Sequence, residues 1–248
     1  MPKFRAVLEY DGTGYHGWQL QPGIPTVQGE VERVLERILC RPTRVHAAGR
    51  TDAGVHASGQ VIHFIAEWSH GPERLQKACN SLLPGEVTVR SVEDASPEFH
   101  ARHSAVSKTY VYRILSREIR SSLERLYVWH VPYRLDVGAM RDAASEVVGA
   151  HDFAAFGLAT DGTPSTVREI LEASWVSDPA SGVLTFTVRG TGFLRYMVRS
   201  LVGTLVMVGR GKISPEDIRD ILRSGDRNRS GPTAPARGLT LARVDYLE

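Results

Sequence analysis

Gly49-Arg50-Thr51-Asp52-Ala53-Gly54-Val55-His56-Ala57 sets two glycines, a cation, a carboxylate and an imidazole between two strand-like runs, Arg44 to Ala48 and Gln60 to Trp68. The loop, Gly49 to Gly59, is the centre from which the first hundred residues read in both directions. Upstream, Thr26 precedes apolar residues at Val27, Val31, Val34, Leu35, Ile38 and Leu39, the spacing of an amphipathic helix that starts at a threonine cap. Before it, Lys3 to Tyr10 is rich in strand formers and runs into the turn residues Asp11-Gly12-Thr13-Gly14. Downstream, Leu75, Ala78, Cys79, Leu82 and Leu83 mark a helix over 71–83, stopped by Pro84-Gly85, and Val87 to Val92 reads as a strand. The order is β-α-β-β-α-β.

A similar alternation follows. Ser104 to Leu115 is a β-branched and aromatic run, and a short strand lies near Tyr127 to Val131. Asp136 caps a helix carrying Val137, Met140, Ala144, Val147 and Val148, and two strands are expected at 166–177 and 183–190. A long apolar helix spans Phe193 to Val208, a short one opens at Ser214-Pro215, and Leu239 to Tyr246 closes the chain as a strand. The class is α+β, in two halves over residues 1–103 and 104–248, each an antiparallel sheet with helices on one face. No true linker separates them.

The chain has 248 residues, enough for one large domain or two small ones, and its 30 basic and 28 acidic residues give a formal net charge of +2. That balance excludes a basic tail protein or an acidic disordered chain. Residues 1–101 hold 10 basic and 12 acidic side chains, residues 102–248 hold 20 and 16, and 186–212 carries five basic residues and no acid. A local positive face is therefore compatible with the near-neutral sum. Two cysteines, Cys40 and Cys79, do not make a disulfide framework and point to a reducing, cytoplasmic compartment. No segment has the apolar length of a membrane span.

Gly12, Gly14 and Gly17 spell G-x-G-x-x-G after a strand, but a dinucleotide site needs a helix to begin in that turn. Trp18-Gln19-Leu20-Gln21-Pro22-Gly23-Ile24-Pro25 has two prolines and no helical period, so the cofactor reading is rejected; a glycine loop lining a cleft stays open. The histidines, including His46, His56 and His63, show no zinc-type spacing. In the central loop, Asp52 has two local readings. Two residues from Arg50, it can be held ionised as a nucleophile or base, or it can bond its own backbone in an Asx turn.

The wider pattern resembles the tRNA pseudouridine synthase A family, whose R-T-D-x-G-V-H signature matches residues 50–56. The likeness continues through Asp11 to Gln19, Phe99-His100-Ala101-Arg102, Lys108 to Arg113, Gly192 to Arg199, and Thr233 to Leu239. It implies two ferredoxin-like halves joined into one pseudouridine-synthase-type structure with a central cleft. The implied activity is isomerisation of uridine to pseudouridine in the anticodon stem and loop of tRNA, with no cofactor and no metal. By resemblance, Asp52 is the catalytic carboxylate, Tyr110 stacks on the target base, Arg199 pairs with the carboxylate, and Arg50 touches RNA near the flipped nucleotide. Phe193, in the Gly192 to Arg199 block, is a further substrate-binding candidate, and the family implies a homodimer.

The chemistry suits these residues. Breaking the glycosidic bond leaves positive charge on the anomeric carbon, which a carboxylate can stabilise or attack, and the base must first be flipped out of the RNA. Phosphate contacts are expected from Arg102, Lys108, Arg113, Arg117, Arg120, Arg125, Arg223, Arg227 and Arg229. The competing readings are a non-catalytic RNA-binding module and a nucleoside glycosidase. The first has no need of a carboxylate facing phosphates, and the second requires another acid near Asp52.

Overall fold

The computed structural model describes residues 1–159 and 165–247. In chain order the elements are β1 (Lys3–Tyr10), α1 (Val27–Leu39), β2 (His46–Ala47), β3 (His56–Ile65), α2 (Pro72–Leu82), β4 (Val87–Ala95), β5 (Ala105–Ser116), β6 (Trp129–Val131), α3 (Val137–Ser145), β7 (Gly149–Asp152), β8 (Val167–Asp178), β9 (Val183–Gly190), α4 (Met197–Gly209), α5 (Asp217–Ser224) and β10 (Leu239–Tyr246). They fall into two compact units, Met1–Val106 with Thr240–Glu248, and Ser107–Leu239. The α+β class expected from the sequence is the one observed.

In the first unit β1 lies between β3 and β4, antiparallel to both, and β2 pairs with β3. This is the strand arrangement of a split β-α-β fold. Helix α1 begins where the sequence puts it: the Thr26 side chain accepts the Gly29 N–H, and Val27, Val31, Val34 and Leu35 are buried. Helix α2 starts with Pro72 at its first position. Phe4, Leu8, Leu35, Ile62 and Leu75 are among the largest fully buried side chains. The final strand is grouped with this unit, where β10 pairs in parallel with β3, Thr240 opposite His56 and Leu241 opposite Ala57. Close backbone approach permits it, since a Cβ at Gly59 would lie 2.3 Å from the Ala242 carbonyl oxygen.

In the second unit β9 lies between β5 and β8, antiparallel to both, and β7 pairs with β8. Asp136 caps α3 by accepting the Ala139 N–H. Helix α3 packs on α4 and β8. Tyr112, Ile114, Met140, Phe153, Phe156 and Phe186 fill the core.

Several boundaries differ from the sequence expectation. The central loop is shorter, because β3 starts at His56 rather than Gln60, and most of its residues are buried, erasing the alternation that would have marked its start. It also ends at Ile65, before Trp68, and the strand expected over Arg44 to Ala48 is confined to His46–Ala47. The α3 helix stops at Ser145, before Val147 and Val148, and Gly149, at φ 107°, opens the edge strand β7, which the sequence reading did not contain. Helix α4 starts at Met197, not Phe193, because Tyr196 adopts a left-handed conformation ahead of it. Helix α5 starts at Asp217, after Ser214-Pro215.

Candidate active site

The loop carrying Asp52 is a hairpin connection built for fixed geometry. Val55 N–H bonds to the Asp52 main-chain carbonyl at 3.1 Å, closing a turn with Gly54 at φ 75° in its third position. Only a residue free to adopt positive φ fits there, which is the role of the glycine in a type II turn. The carboxylate-bearing residue is half-buried, Arg50 and Ala53 are exposed, and Thr51, Val55 and His56 are buried around them.

Two sets of bonds hold this loop. From below, Gln60, fully buried, grips the Gly49 peptide with both ends of its amide: Nε2 donates to the carbonyl at 2.7 Å and Oε1 accepts the N–H at 3.4 Å. Its Nε2 also donates to the Tyr10 hydroxyl at 3.4 Å, which lies 2.8 Å from Thr51 Oγ1. Burial pushes the Tyr10 phenol up to about 12, so it stays a neutral hydrogen-bonding group.

From the other side, the segment 11–18 straps the loop. Trp18 N–H donates to Thr51 O at 3.0 Å and Gly54 N–H to Tyr15 O at 3.2 Å. The contact is backbone on backbone: a Cβ at Gly12 would fall 2.0 Å from Val55 O, and one at Gly17, already at φ 89°, 2.6 Å from Thr51 O. The G-x-G-x-x-G pattern that fails as a dinucleotide fingerprint thus has a different use for two of its glycines. His56 Nδ1 stands 3.1 Å from both the Gly12 N–H and an Asp11 carboxylate oxygen. A ring unprotonated at that nitrogen accepts from Gly12, and one protonated there donates to Asp11.

In the second unit the structure brings two of the expected residues together. Tyr110, on β5 opposite Val188, is 8 % exposed and meets the Phe193 ring edge to face at 5.0 Å. Arg199, half-buried in the first turn of α4, donates from Nε to Ala234 O at 2.7 Å, and its own carbonyl accepts the Ala234 N–H at 3.0 Å. The Pro232–Ala234 strap lies so close to α4 that a Cβ at Gly203 would stand 1.7 Å from Pro232 O. Arg195, which falls inside the helix expected over Phe193 to Val208, instead precedes α4 and is bridged to Leu158 through both backbone groups.

The basic residues expected to meet phosphate divide by environment. Arg102 and Arg120 are exposed. Arg113 pairs with Glu124 at 2.9 Å and Arg223 with Asp220 at 3.6 Å. Arg227 is occupied by its own loop, bonding Gly231 O at 2.9 Å and Thr233 Oγ1 at 3.0 Å. Sequence reasoning missed Tyr10, Gln60 and Tyr196; the signal for Gln60 was a lone amide in the apolar run 60–64. No group of three or more His, Cys, Asp or Glu side chains among the described residues could hold a metal ion. No helix among them is long and apolar enough to cross a membrane.

Comparison with known proteins gives the same direction. A family profile described as tRNA pseudouridine synthase matches residues 6–104 and 143–247. The chain is 45% identical over 249 residues to tRNA pseudouridine synthase A of Methylobacterium nodulans, covering 100% of this chain and 97% of that one. It is 45% identical over 246 residues to the protein of the same name from Geobacter sulfurreducens, covering 99% and 100%. To that of Streptococcus equi it is 41% identical, both chains being covered in full. With matches of this extent, the chain belongs to the tRNA pseudouridine synthase family of isomerases.

Proposed function

We propose that this enzyme isomerises uridine in the anticodon stem and loop of tRNA, with Asp52 as the nucleophile. The observation that carries the reading is the Asp52 loop. It joins a half-buried carboxylate to a turn fixed by main-chain bonds on two sides, the preorganisation that attack on a flipped nucleotide needs. Asp52 adds to C1′ as the bond to N1 breaks. The detached uracil turns until C5 faces C1′, C5 displaces the carboxylate, and the proton on C5 is lost while N1 regains one. Atoms and electrons balance with no cofactor.

Tyr110 supplies a flat face for the extruded uracil, with Phe193 against its ring, and its phenol assists removal of the C5 proton. Arg199 is the cation that keeps the carboxylate ionised, and Arg50, exposed on the loop, contacts the RNA backbone near the flipped nucleotide. The protein works in the cytoplasm, to which the free thiols Cys40 and Cys79 are suited, and as a homodimer, as its family resemblance implies.

The test is incubation of the purified protein with an unmodified tRNA transcript, followed by mapping of pseudouridine. Product confined to the anticodon stem and loop supports the assignment. Product elsewhere overturns the specificity, and binding without product leaves the RNA-binding module as the better account. Light scattering of the same sample gives the oligomeric state, where a monomer mass contradicts the dimer.

A further inference from the structure

Among the described residues, Cys40 and Tyr196 are the non-glycine residues at positive φ. Cys40, at φ 56°, ends α1, and a left-handed residue at a helix C-terminus is ordinary. Tyr196 is not ordinary. It stands at the N-terminal cap of α4 with φ 66° and ψ −4°, where capping residues are extended and usually small and polar, and it makes no side-chain capping bond. A bulky aromatic in this region is strained, and such strain persists only where the surroundings impose it.

The surroundings do impose it. Arg195 exchanges both backbone bonds with Leu158, at 3.1 and 3.2 Å, and Met197 N–H bonds Leu194 O at 3.2 Å. Gly157 admits this turn, since a Cβ there would be 2.6 Å from Leu194 Cβ and 2.9 Å from Arg195 O. The outcome is a half-buried ring with two guanidinium groups over it, that of Arg195 at 4.7 Å and that of Arg199 at 5.7 Å from its centre. Arg199 is thereby held at two points, by the Ala234 carbonyl on Nε and by the Tyr196 ring against the guanidinium carbon.

We infer that Tyr196 is a positioning residue whose strained backbone sets its ring against the Arg199 guanidinium and so fixes that cation for the isomerisation. The inference rests on the role proposed above for Arg199. Its mark is a separation of stability from turnover. Glycine and asparagine accept the left-handed conformation, so Tyr196→Gly and Tyr196→Asn remove the ring without adding strain.

Three Tyr196 variants are compared with the wild type in turnover of a tRNA transcript, in Tm, and in the NMR signal of the Arg199 Nε–H, which the ring current shifts upfield. Tyr196→Gly and Tyr196→Asn are expected to keep the wild-type Tm, to lower kcat about tenfold with KM changed by less than about twofold, and to move the Arg199 signal downfield. Tyr196→Phe, which keeps the ring, restores kcat. Wild-type kcat in the glycine or asparagine variant overturns the inference, as does a fall in Tm alongside kcat, which marks a merely structural ring. Arg199→Ala is the reference. If it is impaired while Tyr196→Gly is not, the Tyr196 role alone fails; if Arg199→Ala turns over normally, the role of Arg199 fails and this inference with it.

Discussion

His63 offers a pH-dependent prediction whose size follows from its surroundings. It is 6 % exposed on β3, its Nδ1 accepts the Ala101 N–H at 3.1 Å, and its ring stacks against His46 at 4.9 Å and lies 4.5 Å from His100. Burial first, and then the positive charge of His100, His46 and Lys3, pushes its pKa from 6.5 down to about 4. The unfolded chain therefore binds a proton that the folded chain refuses. The stabilisation is complete above the unfolded value and is lost as pH falls through the interval toward the folded one. Between about pH 7.5 and about pH 5 this linkage removes roughly 2 kcal/mol of unfolding free energy. Urea unfolding of the wild type and of His63→Gln, which keeps an acceptor for Ala101 without titrating, measures it. The wild type should lose roughly 2 kcal/mol more than the variant over that interval. Equal losses would refute the reasoning. The segment at stake carries Phe99 to Arg102, which is also tied down by the Tyr246 hydroxyl on Ala101 O at 2.8 Å and by Lys3 Nζ on Phe99 O at 2.9 Å.

Other substitutions test the scaffolding of the site. Gly12→Ala forces the strap and the Val55 carbonyl apart by about 1 Å, and a displacement of that size should lower kcat about 100-fold in a protein that still folds, read by circular dichroism beside turnover. Gln60→Leu removes both partners of the half-buried Gly49 N–H and carbonyl and should cost about 1–3 kcal/mol by urea unfolding, more than Tyr10→Phe, which removes one hydroxyl at about 1 kcal/mol. Gly203→Ala pushes the Pro232–Ala234 strap off α4 and releases Arg199 from Ala234, so kcat and Tm should both fall. The affinity for tRNA should drop steeply between low and high salt, and a flat response in a filter-binding titration contradicts phosphate contacts.

What the sequence revealed tracks how local each cause is. Helices α1 and α3 are legible because Thr26 and Asp136 cap them and their apolar residues repeat at helical spacing. The start of β3 is not, because a strand buried on most of its length loses its alternation. The start of α4 is misplaced for a tertiary reason: the Leu158–Arg195 bridge and Gly157 hold Tyr196 outside the helix, and no neighbour in sequence announces that. The placement of β10 depends on a parallel partner far away along the chain. At the site, local chemistry left Asp52 between nucleophile and Asx turn, and the motif pattern tipped the balance. The structure adds what neither contained: the turn closes through the Asp52 main chain, and Gly12 and Gly17 serve that loop rather than a pyrophosphate.

In the mechanism proposed above the Asp52 carboxylate, and not merely the loop's shape, performs the reaction. Asp52→Asn keeps the size of the side chain and the main-chain bonds of the turn while removing the charge. The direct measurement is single-turnover pseudouridine formation by this variant on an unmodified tRNA transcript, with tRNA affinity measured alongside. Wild-type binding with no detectable pseudouridine is the expected result. Product formed at the wild-type rate would contradict it.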